Sequence, residues 1–171
     1  MKDQSNPFMS AMRYIVPPLL LVSSGFIFSM HWFLLMADRH VEGIATEVIP
    51  APIITLIIDY YTVVFGPMTW LVKIVILTML LTMTLQLFIR EIPRYLSWSI
   101  FITNAPLVFQ GVFRIIPMVD QLILKTDTPE VQSQMVRTVH NAHVLSAAGV
   151  ALMIVLQLIV IIRLQRQADG R

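Results

Sequence analysis

The feature that most constrains this chain is a long apolar segment near its C-terminus. Residues 144–162 read VLSAAGVALMIVLQLIVII and carry no charged side chain. A helix of this length extends about 30 Å, the thickness of a bilayer's hydrocarbon core. A helix start precedes it, with Thr128 as a hydroxyl N-cap, Pro129 at the first position and Glu130 in the first turn. The sequence therefore predicts one long helix over residues 128–166 that crosses a membrane.

Composition extends this prediction to the whole chain. Hydrophobic residues make up 57% of the 171 residues and charged residues only 13%, whereas about 25% of the residues in soluble domains are charged. The sequence contains no cysteine, which excludes disulfides, thiolate metal sites and cysteine nucleophiles. Basic residues stand at the ends of apolar segments rather than in runs, so nothing indicates nucleic-acid binding.

The other apolar segments predict an all-α integral membrane fold, a four-transmembrane-helix bundle that forms a single domain over residues 1–171. Residues of about 51–65 lie between prolines and are too few to cross a bilayer comfortably. We expect them to form a short extracytoplasmic interfacial or re-entrant helix. The predicted spans are about 14–37, 67–89, 95–117 and 139–163.

Basic residues set the predicted orientation. With four spans, the basic residues near both termini share one side of the bilayer with Arg90 and Arg94, whereas Arg39, Lys125 and Arg137 lie on the other side. Because cytoplasmic segments are enriched in lysine and arginine, we expect both termini to be cytoplasmic. The expected location is a bacterial inner membrane, with the lipid bilayer as the first partner.

This topology brings ionisable residues from all four spans to the extracytoplasmic end. His31 belongs to the first span, Lys73 to the second, Arg114 to the third, and His140 and His143 to the fourth. Charges inside a bilayer are costly and usually face the interior of a bundle. We therefore expect Lys73 and Arg114 to face inward, toward the histidines.

One interpretation of this polar layer is an enzyme pocket for an aromatic or lipophilic small molecule. An imidazole titrates near neutral pH, so His140 and His143 are candidate general bases. Arg114 would stabilise the negative charge that develops on the substrate. The candidate substrate-binding residues are His31, Trp32, Trp70, Lys73, Asn104, Gln110 and Asn141.

Other interpretations stay open at this point. In one, His31, His140 and His143 ligate a b-type haem or a copper or iron ion, because imidazoles on facing helices suit both. In another, the protein is a homo-oligomer or a non-catalytic subunit of a larger membrane complex, with residues 147–149 as a close-packing surface. Transport along a kinked third span and a purely structural role for interfacial histidines are further alternatives.

Several short motifs resemble a small four-span membrane family that includes the anthrone oxygenases. They are, in chain order, Gly25-Phe26-Ile27-Phe28, Gly66-Pro67, Asn104-Ala105-Pro106-Leu107 and Asn141. Their order and approximate spacing agree with that family along nearly the whole chain. The chain departs from the family at His140, Val144 and Val108, where tryptophan, arginine and asparagine are common.

The resemblance implies a cofactor-independent oxygenase or a related membrane oxidoreductase that acts on aromatic substrates. In such an enzyme a histidine removes a proton from an activated carbon, and the resulting carbanion reacts with oxygen directly. His140 or His143 would be that histidine. This interpretation needs no haem or metal, which distinguishes it from the ligand interpretation.

Overall fold

The computed structural model describes residues 7–66 and 69–170, and all regular secondary structure within them is helical. A short 3-10 turn (Arg39–Val41) follows the first helix, and a π-helical segment (Gly111–Ile115) joins the fourth helix to the fifth. The predicted all-α class is therefore confirmed. The helices are α1 (Pro7–Asp38), α2 (Ala51–Phe65), α3 (Thr69–Gln86), α4 (Arg94–Gln110), α5 (Ile116–Leu124) and α6 (Pro129–Asp169).

Within the described residues, three stretches of helix are long and apolar enough to cross a membrane, which indicates a membrane protein. They cover Ala11–Val41, Arg94–Leu124 and Pro129–Asp169. The predicted second span corresponds to the shorter helix α3, which ends at Gln86 because turns occupy the residues that follow. Pro67, where that span and the Gly66-Pro67 motif were expected, lies outside the described residues.

Helices α1 and α6 pack along each other, with α3 against α1 and α4 against α6. The side chains of Leu20, Met79, Met83 and Met153 fill the core between these four helices. Helix α2 lies across one end of the bundle. It buries one face at helical spacing against α5 and α6, and this face carries Ile54, Ile57, Ile58 and Tyr61.

Buried polar side chains follow the inner face of the bundle at multiples of seven residues. Seven residues are about two helical turns, so side chains with this spacing share one face of a helix. These faces point toward each other, which keeps the polar groups away from the outer surface of the bundle. The buried residues are Ser24 and Asp38 on α1, Ser97 and Asn104 on α4, and His143 and Gln157 on α6, and the half-buried His31 lies between Ser24 and Asp38 at the same spacing.

A pair of buried amides ties three helices together near the chain termini. The Nε2 of Gln157 on α6 donates to the carbonyl oxygen of Pro17 on α1, at 3.0 Å, and to Oε1 of Gln86 on α3, also at 3.0 Å. Both glutamines are almost fully buried. Because buried amides need hydrogen-bond partners, these contacts fix the relative heights of α1, α3 and α6.

Candidate functional site

A cavity of about 80 Å³ lies inside the bundle between α1, α3, α4 and α6. This volume is several times what a single water molecule requires. Aliphatic side chains such as Ile76, Met79 and Leu107 form most of the wall. Among the described residues that line the cavity, the polar side chains are those of His31, Asn104, His143 and Ser146. An apolar chamber with a few convergent polar groups is the usual form of a small-molecule site.

His143 on α6 is held by a buried carboxylate from α1. Its Nδ1 lies 2.6 Å from Oδ2 of Asp38, and the two side chains are 4% and 0% exposed. A carboxylate accepts hydrogen bonds, so Nδ1 carries the proton and Nε2 of the neutral ring keeps its lone pair. Serine hydrolases orient their catalytic histidine in the same way. The arrangement leaves a basic nitrogen on a residue that lines the cavity.

Tyr61 on α2 completes this network. Its hydroxyl donates to Oδ1 of Asp38 at 2.5 Å, so each carboxylate oxygen accepts one hydrogen bond. Burial raises the pKa of the Tyr61 phenol well above its ordinary value, and the neighbouring Asp38 carboxylate raises it further. The hydroxyl therefore keeps its proton and remains a donor. Side chains from α1, α2 and α6 thus fix the orientation of the His143 ring.

His31 on α1 stands beside His143. The two ring centroids are 5.7 Å apart and the planes are nearly perpendicular. The Nδ1 of His31 lies 2.8 Å from the carbonyl oxygen of Ile27. A carbonyl oxygen can only accept, so Nδ1 carries the proton and Nε2 is again an acceptor in the neutral ring.

Asn104 contributes an unpaired polar atom from α4. The side chain is 1% exposed, and its Nδ2 donates to the carbonyl oxygen of Ile100 at 3.0 Å and to Oγ1 of Thr103 at 2.9 Å. Its Oδ1 has no hydrogen-bond partner in the part of the chain that the structure describes. Gly149 on α6 lies beside this side chain, and a Cβ there would collide with Leu107 while lying 3.6 Å from Oδ1, at ordinary van der Waals distance.

The structure brings together His31, Asn104 and His143 from the predicted site, and the other predicted residues do not line the cavity. His140 is nearly buried, and its Nε2 lies 3.5 Å from Oε1 of Glu42, outside the chamber. Gln110 is half-buried. The exposed residues of the predicted set are Trp32, Trp70, Lys73, Arg114 and Asn141.

The expectation that Lys73 and Arg114 face the interior is wrong, since both side chains are exposed. Lys73 follows Val72 and Arg114 precedes Ile115, and both Val72 and Ile115 line the cavity. Adjacent residues of a helix point in different directions, so Lys73 and Arg114 point elsewhere than their cavity-lining neighbours. Long basic side chains can extend along apolar surface to reach the polar headgroups. Lys73 and Arg114 can therefore keep their charges out of the hydrocarbon core without facing the interior of the bundle.

Two residues of the network were not among the predicted site residues. Asp38 stands seven residues after His31 and fourteen after Ser24, and this spacing was the available sequence signal. Tyr61 shares the buried face of α2 with Ile54, Ile57 and Ile58, which indicated burial but not a partner. Only the fold brings Tyr61 to Asp38.

The haem or metal interpretation, in which His31, His140 and His143 are the ligands, gains no support from the described residues. Within residues 7–66 and 69–170, no three side chains of the His, Asp or Glu type are grouped as metal ligands require. The rings of His31 and His143 are in edge-to-face contact, which leaves no room for a porphyrin between them.

The site is thus an apolar chamber that contains an oriented imidazole, a second imidazole and an unpaired amide oxygen. This combination suits proton transfer to or from a lipophilic molecule. Comparison of the chain with family models, with curated proteins and with solved structures found no match.

Proposed function

We propose that this protein is a membrane-embedded enzyme that removes a proton from a lipophilic small molecule, with His143 as the general base. The observation that carries the proposal is the 2.6 Å contact between Nδ1 of His143 and the buried carboxylate of Asp38. It leaves the Nε2 lone pair as the free basic position of a cavity-lining ring. The carboxylate also stabilises the imidazolium that forms when His143 accepts a proton.

The reaction that fits best is a cofactor-independent oxygenation. His143 takes a proton from an activated CH₂ carbon, and the electron pair left on that carbon adds to dioxygen to form a peroxide anion. The imidazolium returns the proton to the peroxide, and loss of water leaves a carbonyl on the carbon. Carbon is oxidised, dioxygen is reduced, and one oxygen atom enters each product. The resemblance to the anthrone oxygenase family favours this chemistry.

Arg114 and Lys73 have no part in this mechanism, because their exposed side chains do not line the cavity. The positive charge nearest the reacting carbon is the imidazolium of His143 itself. Its proton therefore serves both to stabilise the peroxide and to complete the reaction. This replaces the role that the sequence assigned to Arg114.

We also propose that α3 completes a four-span bundle. The 18 residues of α3 extend about 27 Å, close to the thickness of the hydrocarbon core. Helix α3 buries Met79 and Met83 and exposes Ile74, Leu77 and Leu81, as a lipid-facing helix would. Helix α2 then lies at the extracytoplasmic interface, and both termini are cytoplasmic.

Cysteine labelling tests this topology, because the natural sequence contains no cysteine. A membrane-impermeant maleimide should label Glu47→Cys in intact spheroplasts and Arg166→Cys only after lysis. Residue 47 precedes α2 and residue 166 lies near the end of α6, so four spans place them on opposite sides. Labelling of both variants in intact cells would contradict the four-span arrangement.

Oxygen uptake tests the proposed activity. Protein purified in mild detergent should consume dioxygen with lipophilic aromatic compounds that carry an acidic CH₂ group. Each turnover should consume one dioxygen and form one carbonyl, and ¹⁸O₂ should label that carbonyl. Metal analysis of the same sample distinguishes turnover that depends on a metal from turnover that does not. If no compound of this class is consumed, or if the carbonyl oxygen comes from water, the oxygenase proposal fails.

A further inference from the structure

The polar atoms that face the cavity have fixed hydrogen-bonding roles. Nδ1 of His31 contacts the carbonyl oxygen of Ile27, and Nδ1 of His143 contacts the carboxylate of Asp38. Both partners only accept, so both rings donate through Nδ1. The Nε2 atom of each neutral ring is therefore an acceptor.

The hydrogen-bonding role of the Asn104 side chain is also fixed by its partner. Its amide nitrogen donates to the carbonyl oxygen of Ile100, which can only accept, so the other amide atom is the oxygen. That oxygen is buried and has no partner. Of the remaining described residues around the cavity, only Ser146 has a side chain that can donate. The cavity thus offers three acceptors and a single hydroxyl.

A ligand for this cavity must bring hydrogen-bond donors. A ligand without them would leave lone pairs in the cavity unpaired, and an unpaired buried polar group is unfavourable. The aliphatic wall requires that the rest of the ligand be apolar. We infer that the cavity binds a lipophilic aromatic diol of the hydroquinone type through its hydroxyl groups, and that it discriminates against the corresponding quinone.

The acceptors lie at two levels of the cavity. Gly149, which lies beside the Asn104 oxygen, follows His143 by six residues, or about 9 Å along α6. A six-membered ring with hydroxyls at opposite ends can direct one hydroxyl toward each level. One hydroxyl would donate to His143 or His31, and the other would donate to Asn104.

Discrimination follows from the chemistry of the two redox states. A hydroquinone carries two hydroxyl donors, whereas the quinone of nearly the same size has only carbonyl acceptors. A quinone would place its oxygens against Nε2 of the histidines and Oδ1 of Asn104, lone pair against lone pair. The inference rests on the proposed function because both use the same cavity. It concerns binding, however, and can be tested without turnover.

Anaerobic calorimetric titration of the purified protein with decylhydroquinone, and separately with decylquinone, tests the inference. We expect the hydroquinone to bind at least about tenfold more tightly, the effect of one to two net hydrogen bonds. Asn104→Leu should reduce this preference severalfold. His31→Phe keeps an aromatic ring and removes Nε2, so it provides a second test if Asn104→Leu does not fold.

His140→Gln is the matched control, because it removes an imidazole of α6 that does not line the cavity. It should leave the preference unchanged. Equal affinities, tighter quinone binding or no binding of either probe would overturn the inference, as would a preference that survives both Asn104→Leu and His31→Phe. Selective hydroquinone binding, together with no oxygen uptake with any of the CH₂ compounds, would uphold the inference and refute the oxygenase proposal.

Discussion

Replacement of His143 by alanine is expected to lower kcat of the oxygen-consuming reaction by about 10³-fold, within the range that a general base contributes. The variant removes the only imidazole that a buried carboxylate orients among the described residues lining the cavity. Asp38→Asn should lower kcat by a similar factor, because an amide can donate to Nδ1 and favour the wrong tautomer. Initial rates of oxygen uptake at saturating substrate measure both effects.

His140→Gln is the matched control for this prediction. His140 lies one helical turn before His143 but does not line the cavity, and its nearest ionisable partner is Glu42. We therefore expect turnover close to that of the wild type. Lys73→Gln and Arg114→Gln should be equally mild, since both side chains are exposed. A collapse of turnover in His140→Gln, with activity retained in His143→Ala, would show that His140 and not His143 is the base.

Replacement of Asp38 by leucine is expected to lower the free energy of unfolding by about 3 kcal/mol. The carboxylate accepts hydrogen bonds from Tyr61 and His143, and its loss removes the acceptor of both. Removing one partner of a buried hydrogen bond costs about 1–3 kcal/mol. Reversible unfolding in mixed detergent micelles, followed by circular dichroism, measures the change.

Tyr61→Phe separates the two donors. This variant removes the hydroxyl but keeps the ring, and Asp38 retains its contact with His143, so we expect a loss of only about 1 kcal/mol. The double variant Asp38→Leu, Tyr61→Phe should then be more stable than the sum of the single effects predicts, because no phenol is left without its acceptor. If Asp38→Leu unfolds like the wild type, the carboxylate network does not hold these helices.

Local properties of the chain explain what could be predicted from the sequence. Helix α6 was expected over residues 128–166 and runs from Pro129 to Asp169, with Thr128 as the N-cap that accepts from the amide of Val131. Hydrophobic length and capping depend on neighbouring residues, so a sequence displays them directly. The inclusion of His31 and His143 in the candidate site rested on the predicted topology, which places both at the extracytoplasmic end of the bundle.

The direction in which a long side chain points depends less on its neighbours in the sequence. Lys73 and Arg114 were expected inside the bundle because a charge that faces lipid is costly, yet both side chains are exposed. The π-helical segment at Gly111–Ile115, which contains Arg114, also changes the facing of residues beyond Asn104 and Pro106. A regular helical periodicity does not anticipate such a shift.

The sequence by itself determined the helical, membrane-spanning class of this protein and the helix faces that carry its polar residues, because hydrophobicity and helical spacing are properties of contiguous residues. Tertiary structure alone decided which polar groups meet. The contact between Asp38 and His143 joins residues 105 positions apart, and Tyr61 reaches Asp38 from a separate helix. Such contacts depend on how α1, α2 and α6 pack, and the energy of that packing is spread over the whole core.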